Sequence, residues 1–148
     1  MRAPYQILVF PYIKKDGITK YCLFKREDLK VWQGIAGGGE EGELPIETAK
    51  REAHEEAGIP LVNKIFQLSS TASIPVVAIS GFIWGPETIV IPEYSFGLAM
   101  TDEKITLSDE HKNFEWLNFE DALSKLNWDS NRTALWELNH RLTNKLIK

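Results

Sequence analysis

The chain has 148 residues, a length that favours a single domain over 1–148 and allows a buried core; 43% hydrophobic and 26% charged residues are an ordinary globular composition. A formal charge of −4 without a Lys/Arg cluster argues against a nucleic-acid-binding face, and no apolar run reaches membrane-spanning length. The N-terminus shows no signal-peptide pattern, so a cytoplasmic location is the default expectation. Cys22 is the only cysteine, which excludes an intramolecular disulfide; in the apolar run Tyr21-Cys22-Leu23-Phe24 it reads as a core residue.

In chain order, Gln6 to Ile13 is apolar and β-rich, Lys14-Lys15-Asp16-Gly17 carries a turn signal, and Lys20 to Lys25 is apolar again. This predicts a β-hairpin, with Pro11 at an edge or bulge. Trp32 to Ala36 reads as a short strand that feeds the run Gly37-Gly38-Gly39, expected to be a tight turn because glycine tolerates positive φ. A helix follows. Pro45 suits its first turn and Gly58 the left-handed position past its end, and Ile46, Ala49, Ala53 and Ala57 form a narrow apolar stripe of small residues able to lie close against a sheet.

Residues 64 to 84 are apolar and β-branched, with breaks at Pro75 and Gly81. Gly85-Pro86 marks a turn, and Thr88–Ile91 and Tyr94–Met100 are predicted as strands separated by Pro92. Phe114–Leu117 is a further short strand. Phe119–Leu126 and Asn131–Leu146 read as helices, the latter with a stripe of Leu135, Leu138, Leu142 and Leu146. Strands and helices mixed in this way predict an α/β sandwich.

The segment from Gly37 to Ile59 carries the chemistry. Glu52, Glu55 and Glu56 stand at i, i+3 and i+4 and share one helical face. Three carboxylates so close repel one another and raise their own pKa values; a hard divalent cation removes that cost, because it prefers oxygen ligands and pairs carboxylates with water and substrate phosphates. The competing reading is a solvated acidic face in which Glu47 and Arg51 form an ordinary helical ion pair. Gly37, Glu43, Arg51, Glu52, Ala53, Glu55, Glu56, Gly58 and Ile59, however, occupy every defined position of the pattern G-x5-E-x7-R-E-U-x-E-E-x-G-U, where U is aliphatic.

This pattern resembles the Nudix box, with Ala53 smaller than the usual aliphatic residue. The resemblance implies an α/β/α sandwich (α/β, α+β) with a mixed sheet between helices, and hydrolysis of a nucleoside-diphosphate-linked compound with Mg²⁺ or Mn²⁺. It implies metal-binding carboxylates at Glu52, Glu55 and Glu56, Glu52 also able to position or deprotonate the attacking water, a backbone carbonyl at Ala36 for a metal, and structural roles for Glu43, Arg51 and Gly58. Gly37 and Gly38 would bring backbone close to a phosphate chain. Lys25 to Gln33, Pro92-Glu93-Tyr94-Ser95-Phe96, Glu110-His111 with Trp116-Leu117, and Trp128-Asp129-Ser130-Asn131-Arg132 are similar to the bacterial dihydroneopterin triphosphate (dATP) pyrophosphohydrolase branch.

On that likeness Glu110 takes the place of a further catalytic, metal-binding carboxylate from a later loop. Arg26 and Arg132 are candidates for the phosphate chain, since guanidinium suits bidentate phosphate contact, and Trp32 for stacking on a base or pterin. The ordinary alternatives are a solvated loop carboxylate, surface ion pairs and a core aromatic. The expected substrate is a nucleoside or pterin triphosphate, cleaved to monophosphate and pyrophosphate. Residues 70 to 91 depart from that branch, and Pro75 lies sixteen residues beyond Ile59, near an offset at which some ADP-ribose pyrophosphatases carry a proline, so ADP-ribose or another nucleoside-diphosphate sugar is the rival within the enzymes. A nucleotide-sensing protein that keeps the fold without catalysis is the rival from another class; such a protein could lack box carboxylates, and this chain retains them all. His54, His111 and His140 lack metal-ligand spacing and receive no role.

Overall fold

The structure is a computed structural model that describes residues 1–28, 30–109 and 111–147. Its elements are β1 (Arg2–Lys15), β2 (Ile18–Arg26), β3 (Trp32–Gln33), β4 (Ile35–Glu40), α1 (Pro45–Ala57), β5 (Ile65–Pro75), a 3-10 turn over Val76–Ala78, β6 (Val90–Ala99), β7 (His111–Leu117), α2 (Phe119–Lys125) and α3 (Asp129–Thr143). The sheet is mixed: the path β3-β2-β1-β6-β5 carries β4 on β1 and β7 on β2, and β1 and β6 are parallel while the other pairs are antiparallel.

Strand alternation sends successive side chains to opposite faces and so makes two cores. Ile7, Val9, Cys22, Phe24, Phe96 and Leu98 face α1, where Ala49, Ala53 and Ala57 lie fully buried. Leu8, Phe10, Tyr21 and Leu23 face α2 and α3, meeting Ala122, Ala134, Leu135 and Leu138. Helices thus cover both sheet faces, as the sandwich reading requires. Among the described residues no helix is long and apolar enough to cross a membrane.

β1 decides where the cleft forms. It pairs with β4 through Val9 and with β2 from Tyr12 onward, on the same side. β4 and β2 therefore part from one another at Phe10–Pro11. Pro11 sits at this changeover, between the two ladders, where its missing N–H breaks neither.

Five expectations are corrected. Gly37-Gly38-Gly39 is extended backbone within β4, and Trp32 and Ala36 fall on separate strands, β3 and β4. The positive-φ glycines are Gly17, Gly42, Gly58, Gly81 and Gly85. Pro92 does not split a strand: β6 runs through it because Pro92 pairs only with Ser73 of β5, and the ladder with β1 starts at Glu93. The 64–84 run is a strand only to Pro75, after which the chain turns through a 3-10 segment and Gly81 at φ 72°. The last helix starts at Asp129 and ends at Thr143; Leu146 lies beyond it and is exposed.

Candidate active site

α1 delivers the box carboxylates. Pro45 opens it, and the Leu44 N–H donates to the Glu47 carboxylate (2.8 Å), which satisfies one otherwise unpaired donor at the helix start. Gly58 closes it in the left-handed conformation (φ 67°). The alanine stripe holds the helix close against β1 and β4, which turns Glu52 and Glu56 toward the glycine strand.

Glycine is required in β4 for proximity and not for turning. A Cβ on Gly37 would overlap the Glu52 carboxyl group, one on Gly38 the Arg2 guanidinium, and one on Gly39 the Tyr5 ring. Because neighbouring strand residues point to opposite faces, Glu52 and Arg2 lie on opposite faces of β4. The strand is bare backbone between them.

Arg51 ties the segment together. Its Nε donates to Glu43 Oε2 (2.8 Å) and its Nη2 to Glu43 Oε1 (3.0 Å) and the Gly38 carbonyl (3.1 Å). Its Nη1 donates to Glu52 (2.8 Å) and Glu55 (3.3 Å). Glu43 also accepts from the Glu40 N–H (3.0 Å) and the Thr48 hydroxyl (2.7 Å). The Arg51 hydrogen bonds, more than any other contact, push the Glu43 carboxyl down to about 2, and the same contacts push Arg51 up. Glu47 is not an Arg51 partner; it is spent on the helix start. Tyr5 reaches across from β1: its hydroxyl donates to the Glu43 carbonyl (2.9 Å) and stands 2.6 Å from the Thr48 hydroxyl. Sequence reading missed Tyr5 and Thr48, because nothing in their spacing ties them to the box.

A cleft of about 730 Å³ opens where β4 and β2 part. That volume is in the range of small-molecule sites. Glu52, Glu56, Ala36, Gly37, Gly38 and Arg26 line it. Glu56 is only 5% exposed, so its carboxylate is aimed inward, whereas the Glu55 side chain is 55% exposed and lies outside the lining. Arg26 pairs with Asp28 at the cleft mouth. Trp32 and Arg132 are not among the lining residues: Trp32 packs on the α2–α3 side, with Lys125 Nζ 4.6 Å from its ring centre, and Arg132 is exposed on α3. Glu110 lies outside the described residues. Its neighbour His111 does line the cleft, buried and 5.3 Å from the Phe24 ring.

Other residues of the Trp128–Arg132 segment reach the cleft side instead. Trp128 Nε1 donates to Gln33 Oε1 (3.1 Å), and Asn131 Oδ1 accepts from the Gly34 N–H (2.9 Å), fastening the start of α3 to β3 and β4. Gln33 is buried opposite Phe24 and lines the cleft beside Trp32's strand position. Strand alternation could have found it, since it is the polar residue of that pair on the α1 face.

The donor set suits a hard cation. Five described carboxylates line the cleft (Glu27, Asp28, Glu52, Glu56 and Asp109) against two arginines (Arg2 and Arg26). A polyphosphate entering such a site meets net repulsion unless cations accompany it. The absence of a side chain at Gly37 lets the Glu52 carboxyl group stand directly against the backbone there. Among the described residues no three His, Cys, Asp or Glu side chains already converge as a metal cluster; Arg51 holds Glu52 and Glu55 in its place.

A sheet clad by helices on both faces, with a carboxylate helix packed on a glycine strand at the parting of two ladders, defines a Nudix-type hydrolase fold and site. The NUDIX domain family matches residues 7–136, and the chain belongs to that family. It is similar to a Nudix-family protein of Listeria monocytogenes (43% identity, 97% of both chains, TM-score 0.88). It is also similar to the dihydroneopterin triphosphate pyrophosphohydrolase structure of Escherichia coli (26% identity, 93% of this chain and 97% of that one, TM-score 0.76). The dihydroneopterin triphosphate diphosphatase of Escherichia coli K12 shares 28% identity over 137 residues, 90% of this chain and 91% of that protein. The chain is a Nudix hydrolase, an enzyme of a family that generally uses divalent metal ions.

Proposed function

We propose that this enzyme is a Mg²⁺- or Mn²⁺-dependent pyrophosphohydrolase that cleaves a nucleoside or pterin triphosphate to its monophosphate and pyrophosphate. The observation that carries the reading is the pairing of Glu52 and Glu56 with the bare backbone of Gly37 in a cleft where carboxylates outnumber cations. The relatives named for dihydroneopterin triphosphate support the substrate class over nine-tenths of the chain.

Glu52, Glu56 and the Ala36 carbonyl would hold the metal, joined by Glu55 and Glu110. When bound, the metal neutralises phosphate oxygens and lowers the pKa of a bound water. Glu52 lies against Gly37 and takes the proton of the attacking water. Arg51 orients Glu52 through a 2.8 Å charged hydrogen bond and is itself clamped by Glu43. Arg26, at the mouth, grips the outer phosphates and sets which phosphorus faces the water.

The decisive experiment is a panel with Mg²⁺ containing GTP, ATP, dATP, dihydroneopterin triphosphate, ADP-ribose and dinucleoside polyphosphates, with products identified and hydrolysis repeated in ¹⁸O-water. Pyrophosphate as product, with label in the monophosphate, is the expected result for attack at the α-phosphorus. Fast ADP-ribose cleavage beside negligible triphosphate cleavage would overturn the substrate class and leave the box chemistry standing.

A further inference from the structure

Gln33 is a buried polar side chain of the cleft to which the hydrolytic reading gives no task. β7 fills one edge of β2 from Tyr21 to Arg26, so β3, paired with Phe24 and Lys25, sits on the other edge, the one that faces β4. Gln33 is the register partner of Phe24, which packs in the core on the α1 side. It therefore emerges on the same sheet face as Gly37 and Glu52. It lines the cleft from the β2 side, across from the box carboxylates, and is 5% exposed.

The start of α3 and the turn before it fix both the backbone and the amide of Gln33. Trp32 N–H donates to Asn127 Oδ1 (3.4 Å), Asn127 N–H donates to the Trp32 carbonyl (3.5 Å), and Gly34 N–H donates to Asn131 Oδ1 (2.9 Å), so both chain neighbours of Gln33 are tied down. Trp128 Nε1 then donates to the side chain itself (3.1 Å). An indole N–H can only donate, so the Gln33 atom that meets Trp128 is the oxygen. The amide nitrogen keeps both of its N–H groups, and among the described residues no acceptor takes either of them. A donor pair held from behind at the wall of a cleft suits an oxygen acceptor that arrives with the ligand.

Phosphate oxygens turned away from the box carboxylates need donors from the opposite wall. Arg26, on that wall, gives its Nε and Nη2 to Asp28 (2.9 and 2.5 Å), whereas the Gln33 nitrogen is uncommitted. We propose that Gln33 is a phosphate-binding residue whose amide N–H groups donate to a substrate phosphate oxygen from the wall facing Glu52 and Glu56, and that Trp128 is the positioning residue that sets the amide's orientation; this rests on reading the cleft as a polyphosphate site.

The test measures equilibrium binding of inorganic pyrophosphate with Mg²⁺ to the full chain by calorimetry, across a double-mutant cycle. Gln33→Met keeps the length of the side chain and removes the donors, and should weaken pyrophosphate roughly tenfold or more, the scale of a hydrogen bond to a charged group. Trp128→Phe frees the amide but leaves its donors, and should weaken binding by no more than about threefold. The double variant should be no weaker than Gln33→Met alone, because Trp128 acts only through Gln33. In wild type the Gln33 side-chain amide resonances should shift when pyrophosphate and Mg²⁺ are added. Resonances that stay in place would overturn the inference even if Gln33→Met does not fold. So would wild type that does not bind pyrophosphate, Gln33→Met that binds it as wild type does, or a Trp128→Phe loss equal to that of Gln33→Met or additive with it, since Gln33 would then only anchor α3. Pyrophosphate binding is read without cleavage, so failure of the triphosphate reading would show separately, as absence of triphosphate cleavage in the substrate panel.

Discussion

Glu52 and Glu56 are the residues on which turnover should depend most steeply. Glu52→Gln and Glu56→Gln should each lower kcat at least roughly a hundredfold, the scale of losing a general base, with unchanged circular dichroism because glutamine keeps the volume. Near-wild-type rates in both would separate the box from catalysis. Glu43 behaves differently. Its carboxyl is pushed down to about 2, chiefly by Arg51, so its ionised form stabilises the fold. Its contribution is fully present above the unfolded value near 4.5 and is lost as pH falls toward 2. Glu43→Gln should therefore lower stability by roughly 1–3 kcal/mol at neutral pH, the range for hydrogen bonds to charged groups, and the gap from wild type should close between those two pH values. Urea denaturation across pH measures it; a gap that stays constant down to pH near 2 would contradict the linkage. Glu43, Arg51 and Glu52 were legible in the sequence because the box spaces them. Tyr5, 38 residues from Glu43, was not, because only the fold of β1 beside the loop brings them together.

At the scale of elements, β4 is where the sequence misled and the structure instructs. Three successive glycines suggest a turn by their backbone freedom, yet they are extended, and their function is the absence of a side chain on both faces of one strand. The two faces should fail in different ways. Gly37→Ala should push the Glu52 carboxyl away and cut kcat/KM by more than roughly tenfold, the scale of a misplaced catalytic group, with little loss of Tm. Gly39→Ala should instead displace Tyr5 and lower Tm through lost packing and hydrogen bonds to Glu43 and Thr48. Thermal melts and steady-state kinetics on the two variants distinguish these outcomes; equal losses in both properties for both variants would refute the division. α1 was readable to its last residue, because proline, glycine and an alanine stripe are local signals. The continuity of β6 through Pro92 was not, because it depends on which neighbour the strand has at that residue.

At the scale of the whole molecule, the cleft is a consequence of β1 exchanging one partner strand for another at Pro11. Its lining carries more carboxylates than arginines, which predicts two linked behaviours. Turnover should vanish on exhaustive chelation and return with Mg²⁺ or Mn²⁺. The same ions should raise Tm in a concentration-dependent way, because binding to the folded state alone stabilises it. Full activity with chelator would remove the metal from the mechanism, and an unshifted Tm at millimolar Mg²⁺ would mean that the ion arrives only with substrate. The composition, the helix signals and the spaced carboxylates made the sandwich and the box readable from the chain alone, since each is a short-range pattern set by period, capping or charge repulsion. The tertiary structure alone decided that Trp32 and Arg132 lie away from the cleft while Arg2 and Gln6 line it. Those placements follow from strand register and from the face on which each residue emerges, and both are set by partners far away in the chain.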